Sequence, residues 1–152
     1  YVSTIANGGT RYAPRVVKGI YGNSSNGELG KEKELMQPKV MSKIEGREKE
    51  FEIIQEGMYQ VVNGPMGTGT SLQGASLPIA AKTGTAETFA VDPKSNKSVS
   101  VINSTIVGYA PYNDPKVAVS VMIPQISDDD MGTNRIILKE VINAYNEEFN
   151  KQ

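Results

Sequence analysis

The sequence contains neither cysteine nor histidine, and each absence removes a class of chemistry. Without cysteine there is no disulfide framework and no thiol nucleophile, and the chain can work in any redox compartment. Without histidine, a Ser-His-Asp triad and a His-based zinc site are both excluded. A general base must then be Lys, Glu, Asp or Tyr. Excess charge is missing too. Lys and Arg total 16 against 17 Asp and Glu, a net charge of −1, which gives no electrostatic case for nucleic acid or acidic lipid as a partner. No window approaches the run of about eighteen apolar residues that a spanning helix needs.

What is present is ordinary for one folded domain: 152 residues, 38% hydrophobic and 22% charged, enough for a single core. The chain opens without methionine on Tyr1-Val2-Ser3-Thr4-Ile5-Ala6, and Asn7-Gly8-Gly9 reads as a helix C-terminus. We expect that helix to have begun earlier and the chain to be part of a longer protein. Arg11 to Tyr21 reads as extended, because Pro14 forbids an interior helix. Gly22 to Gly27 is a turn by composition, Lys31 to Glu34 a solvated charged loop, and Leu35 to Ile44 the returning extended segment.

Helical spacing then becomes clear. From Arg47 to Asn63, Phe51, Ile54, Met58 and Val61 mark one buried face. Asn63-Gly64-Pro65 ends it, with Gly64 expected as a left-handed cap. Gly57, a poor helix former, implies a close packing contact. Gly64 to Gly74 is a glycine-rich loop. Strands follow over Ile79–Phe89, Val99–Ala110 and Lys116–Ile123, joined by turns at Asp92–Lys97 and Pro111–Pro115. In the last strand, valines alternate with Ala118, Ser120 and Met122, a pattern that suits helices on both sides. A closing helix runs from Thr133 to Phe149, its apolar stripe formed by Ile137, Val141 and Tyr145 with Leu138, Ile142 and Phe149 beside them. The order of elements predicts an α+β fold: antiparallel sheet strands flanked by helices. There is no repeat and no second domain.

The chemistry concentrates in Lys82-Thr83-Gly84-Thr85, inside the apolar strand pattern that begins at Ala80-Ala81. Lys82 can bring positive charge to a carboxylate, and the hydroxyl of Thr83 can hydrogen-bond to it. Gly84 leaves the strand bare, so a peptide backbone can approach its edge. The backbone N–H of Thr85 can then point at a carbonyl oxygen under attack, as half of an oxyanion hole. A Lys-Thr-Gly tripeptide turns up by composition in roughly 3% of chains this long, mostly at exposed strand ends or turns. The longer run Lys82 to Glu87 and the strand around it set this one apart. Glu87 receives no chemistry and reads as a surface carboxylate at a strand end.

Lys-Thr-Gly is the third motif of the serine acyl-transferases that react with penicillin, and the rest of the chain resembles one branch of them. Tyr1 to Thr10, Gln55 to Val62, Gly67-Thr68, Gly108-Tyr109-Ala110-Pro111 and Pro115 to Val119 are similar, in order, to segments of the class B penicillin-binding proteins, above all the cell-division transpeptidases of Gram-positive bacteria. The resemblance implies the C-terminal portion, over residues 1–152, of a peptidoglycan D,D-transpeptidase domain of the penicillin-binding protein/serine β-lactamase-like fold. It implies stem peptides ending in D-Ala-D-Ala and β-lactams as ligands, and no metal or cofactor. It also implies cell-division proteins as partners, and a place on the extracytoplasmic face of the cell membrane with the anchor outside this chain. On it, Lys82, Thr83, Gly84 and Thr85 bind substrate, with Lys82 and the Thr85 N–H catalytic.

The sequence departs from the family at one point. The family's nucleophile is the serine of Ser-x-x-Lys, and no serine here has a lysine three residues on. Ser24-Ser25-Asn26 and Tyr21-Gly22-Asn23 imitate the family's second motif but lie in a turn, so both read as coincidence. The chain is therefore expected to be inert alone and to need the rest of its transpeptidase domain. The alternative is a non-catalytic scaffold or β-lactam-sensing module with the same fold.

Overall fold

A computed structural model of the chain describes residues 1–25, 27–127 and 132–149. Helix α1 (Val2–Ala6) leads to strand β1 (Thr10–Tyr12), then β2 (Gly19–Tyr21), β3 (Glu32–Leu35) and β4 (Val40–Lys43). Helix α2 (Glu48–Asn63) is followed by a 3₁₀ turn at Thr70–Leu72. The long strands β5 (Ala80–Val91), β6 (Ser98–Ala110) and β7 (Val117–Ile126) come next, and helix α3 (Thr133–Phe149) closes the described chain. The expected α+β architecture is therefore present, with β5-β6-β7 as one antiparallel three-stranded sheet.

Local chemistry accounts for the punctuation. At the end of α1, Gly8 and Gly9 adopt φ of 75° and 115°, which only glycine enters without strain. The Asn7 side chain accepts from the Gly9 and Thr10 N–H groups. The β5–β6 turn is closed by Asp92, whose carboxylate accepts from Lys94 N–H and Ser95 Oγ. Those two bonds, Ser95 first, hold the Asp92 pKa below its ordinary value.

Residues 10–43 form two small antiparallel ladders, β1 with β4 and β2 with β3. The charged loop expected at Lys31–Glu34 is largely strand β3, whose residues are all exposed. Both faces of that ladder meet water, so charged side chains on either face cost nothing, and hydrophobic alternation gave no sign of it. Asn26 lies outside the described residues, so the Ser24-Ser25-Asn26 coincidence is not placed.

The core sits on both faces of the sheet. Side chains alternate along β5, so Ala81, Thr83 and Thr85 share one face with their rung partners Gly108, Ile106 and Ser104. Leu138 and Ile142 of α3 pack there with Val62, Leu72, Ile79, Ala81, Ile106 and Ala110. A buried bond from Asn134 Nδ2 to Ser104 Oγ, 2.9 Å, fixes the start of α3 on that face. On the other face Ala80 and Tyr109 pack against Val2 of α1 and Met58 of α2. A stack of Tyr59 on Tyr112, centroids 4.4 Å apart, adds to this second contact. The Tyr112 hydroxyl donates to Glu56 Oε2 at 3.0 Å.

Several sequence expectations change here. The buried row of α2 is Phe51, Met58 and Val62, while Ile54 is 45% exposed and Val61 half-buried. In α3 the buried row is Asn134, Leu138 and Ile142, while Ile137 and Val141 are about 40% exposed. Each helix carries an apolar stripe wider than the part laid on the sheet, and spacing alone cannot say which half is covered. No other atom comes within 4 Å of the place a Gly57 side chain would start, so the expected close contact is absent among the described residues. Gly64 caps α2 in an extended conformation, φ −76° and ψ 155°, not a left-handed one. It is glycine because a Cβ would lie 2.6 Å from Gln60 O. In β7 the residues alternating with the valines, Ala118, Ser120 and Met122, are exposed, so only one face of that strand is covered along its length.

Two measurements follow. Leu138→Ala should cost about 2–5 kcal/mol in urea unfolding, as large-to-small core substitutions do, whereas Ile137→Ala should cost less than about 1 kcal/mol. Burial, with Tyr112 adding to it, pushes the Tyr109 phenol up to about 12, and its hydroxyl has no hydrogen-bond partner among the described residues. The folded state thus holds this proton more tightly than the unfolded chain, where tyrosine titrates near ~10. Its contribution is intact below about pH 10 and is lost as pH rises from there through about 12. Tyr109→Phe should flatten that loss without lowering stability at pH 7.

Candidate active-site strand

Lys82, Thr83, Gly84 and Thr85 follow one another near the start of β5, directly after the buried pair Ala80 and Ala81. Because β5 is an edge strand of the described sheet, this stretch is paired on one side only, with Val107, Ile106, Thr105 and Ser104 of β6. Alternation separates the motif into two faces. Lys82 and Gly84 lie on the face of Met58 and Tyr109, while Thr83 and Thr85 lie on the α3 face.

Lys82 is exposed at the meeting of two clefts. One, about 380 Å³, is lined by Gln60, Val61, Met66, Thr68 and Lys82 and carries polar groups. The other, also about 380 Å³, is apolar, lined by Tyr1, Ile5, Ile54, Gly57, Val61 and Lys82. Here lie the uncovered half of the α2 stripe and the bare Gly57. The Lys82 stem follows this apolar wall, and its Nζ donates to Thr83 O at 2.6 Å.

Thr83 is met by a residue from outside the strand. Its Oγ1 lies 2.8 Å from Thr68 Oγ1, across a sequence gap of 15 residues. Gly84 has a neighbour that sequence spacing could not reveal: a side chain at that position would run into the Thr105 hydroxyl of its β6 partner. Glu87 is exposed but lies inside β5, which continues to Val91, so it is not at a strand end as its pattern implied. The cleft residues Gln60, Met66 and Thr68 were not singled out by the sequence as site residues, and neither was Thr105. Its signal is its pairing with Gly84, which exists only once the β5–β6 register is known.

No group of three or more His, Cys, Asp or Glu poised to hold a metal occurs among the described residues. The charged group at the site is Lys82, and the neutral donors around it are hydroxyls and backbone amides. That set suits an anionic group better than a cation.

Comparison with known proteins decides the lineage. The profile of the penicillin binding protein transpeptidase domain matches residues 1–143. The chain belongs to this transpeptidase family, in its class B branch. It is 41% identical over 148 residues to penicillin-binding protein H of Bacillus subtilis, with 97% of this chain and 20% of that protein covered. It is 39% identical over 148 residues to penicillin-binding protein 2B of Streptococcus pneumoniae, covering 95% of this chain and 21% of the relative. The solved structure of penicillin-binding protein 2B from S. pneumoniae strain R6 superposes with a TM-score of 0.83 at 36% identity, over all of this chain and 24% of that one. A shorter match, 34% over 80 residues, is to the Escherichia coli protein named peptidoglycan D,D-transpeptidase MrdA, covering 48% of this chain and 13% of that protein. The chain thus spans about a fifth of the length of penicillin-binding proteins H and 2B.

The Gly84 contact is testable on stability alone. Gly84→Ala should destabilise by about 1–3 kcal/mol, the usual range for overpacking. Most of that should return in the Gly84→Ala/Thr105→Ala double variant, since the two sites interact directly. Additive losses in thermal unfolding would mean that the Thr105 hydroxyl is not what excludes a side chain.

Proposed function

We propose that this chain is the C-terminal portion of the transpeptidase domain of a peptidoglycan D,D-transpeptidase, and that it forms one wall of the cleft in which stem peptides and β-lactams react. The observation that carries this reading is the site at the β5 edge, where Lys82 and Thr68 line one cleft and Thr68 meets the hydroxyl of Thr83, in a chain of this family.

In this reading the nucleophile is a serine outside the chain. Its oxygen attacks the carbonyl of the penultimate D-alanine, the peptide bond to the terminal D-alanine breaks, and free D-alanine leaves with the proton. The amine of a neighbouring stem peptide then attacks the ester and releases the serine. Lys82 and Thr83 hold the terminal carboxylate of the donor peptide, or that of a β-lactam. Residues two apart in a strand point their N–H and C=O groups to the same edge. The Thr85 N–H therefore shares the direction of the Thr83 carbonyl, which accepts from the Lys82 ammonium. This supports the Thr85 N–H as an oxyanion donor. Losing one such donor typically costs about 10²–10³ in rate.

Gly84 is the motif position beside which the peptide backbone is to lie. With no Ser-x-x-Lys in the sequence, the chain by itself is inert and depends on the rest of its domain. No described helix is long and apolar enough to cross a membrane. We place the whole protein on the extracytoplasmic face of the cell membrane, anchored by a segment outside this chain, working with cell-division proteins.

The test is intact-mass spectrometry of the longer natural protein after incubation with benzylpenicillin. A single adduct is expected, abolished by replacing the Ser-x-x-Lys serine, and formed at least about tenfold more slowly by Lys82→Ala. That factor is the minimum for losing a charge-assisted hydrogen bond. A folded protein that takes up no penicillin would instead be a scaffold that keeps the Lys-Thr-Gly strand as a relic.

A further inference from the structure

We infer that Thr68 is a positioning residue for substrate carboxylate, acting through Thr83 by setting the direction of its hydroxyl proton; the inference rests on the transpeptidase reading above. The two hydroxyls are 2.8 Å apart, so one donates to the other, and the geometry permits either. The choice decides what Thr83 can do. A hydroxyl has a single proton, so a Thr83 that donates to Thr68 has none left for an anion. When Thr68 donates instead, Thr83 Oγ1 accepts and its own proton is free. A carboxylate beside Lys82 selects that second arrangement, a chain running from the Thr68 O–H through the Thr83 O–H to the anion, in which each bond strengthens the next.

The fold holds Thr68 in place for this. The loop after α2 is laid flat on the end of the helix by glycines that tolerate no side chain. A Cβ at Gly64 would lie 2.6 Å from Gln60 O, and one at Gly67 would lie 2.9 Å from the same oxygen. Gly69 N–H donates to Val61 O at 2.9 Å, and Gly67 N–H to Gly64 O at 3.0 Å. Directly beyond, Leu72 N–H bonds to Gly69 O and its side chain is buried in the core. Thr68 is therefore clamped between two fixed residues, at the wall of the cleft it shares with Lys82 and with its hydroxyl against that of Thr83. A residue needed only for packing would not stand exposed in a cleft with its one described side-chain bond directed at a motif hydroxyl.

The experiment compares the longer natural protein with its Thr68→Val and Thr68→Ser variants. The readout is the second-order rate of acylation by benzylpenicillin and by its methyl ester, which lacks the carboxylate charge. Thr68→Val keeps the shape and removes the hydroxyl. It should slow benzylpenicillin by about three- to tenfold, the range of one neutral hydrogen bond, and leave the slower ester reaction unchanged. Thr68→Ser should restore the parent rate. Equal losses with both compounds, or no rescue by serine, would show a purely structural role and overturn the inference. So would a Thr68→Val protein that matches the parent. A parent protein that reacts with neither compound overturns the transpeptidase reading itself, and this inference with it.

Discussion

The ladder that joins every residue of β5 to β6, from Ala80↔Tyr109 to Val91↔Ser98, is the constraint on which the rest of this chain depends. It fixes the pleat, and the pleat sends Lys82 and Gly84 to one face while Thr83 and Thr85 go to the other. It buries the Ala80-Ala81 pair at one end of the strand, which anchors the motif that follows directly. A slip of one residue would exchange the two faces. It would turn Lys82 toward Leu138 and Ile142, where an ammonium could not be solvated.

Helix α2 and its following loop are held against this ladder from one end. The Tyr59–Tyr112 stack and the Tyr112–Glu56 hydrogen bond tie the helix to the end of β6. Bonds from Gln60 first and Tyr112 second depress the Glu56 pKa, so the carboxylate acts as an acceptor in this tie across the neutral range. Gln73 reaches back to Val62 O, and Lys139 of α3 donates to Gln73 O. The loop that carries Thr68 is thus bounded by contacts to both helices. A site assembled from one strand and one loop keeps its geometry when the loop is pinned at both ends.

The apolar surfaces left over have a common cause. Both long helices present stripes wider than their contact with the sheet, leaving Ile54 on α2 and Ile137 and Val141 on α3 partly open. The cleft beside Lys82 is walled on its apolar side by the same unfinished face of α2.

The amino-acid sequence by itself determined the local elements and the motif. Helical spacing located α2 and α3, Asn63-Gly64-Pro65 marked the end of α2, turn residues separated β5, β6 and β7, and alternation was plain in β7, because each of these depends on neighbours a few residues away. The Lys82–Thr85 run was legible for the same reason, being contiguous. Strand β3 was not, since a ladder exposed on both faces imposes no hydrophobic period on its charged residues. Tertiary structure alone decided which half of each helical stripe is buried, why Gly84 and Gly64 have no side chain, and that Thr68 faces Thr83. These are contacts between distant segments, set by register and packing angle, and no local pattern of residues encodes them.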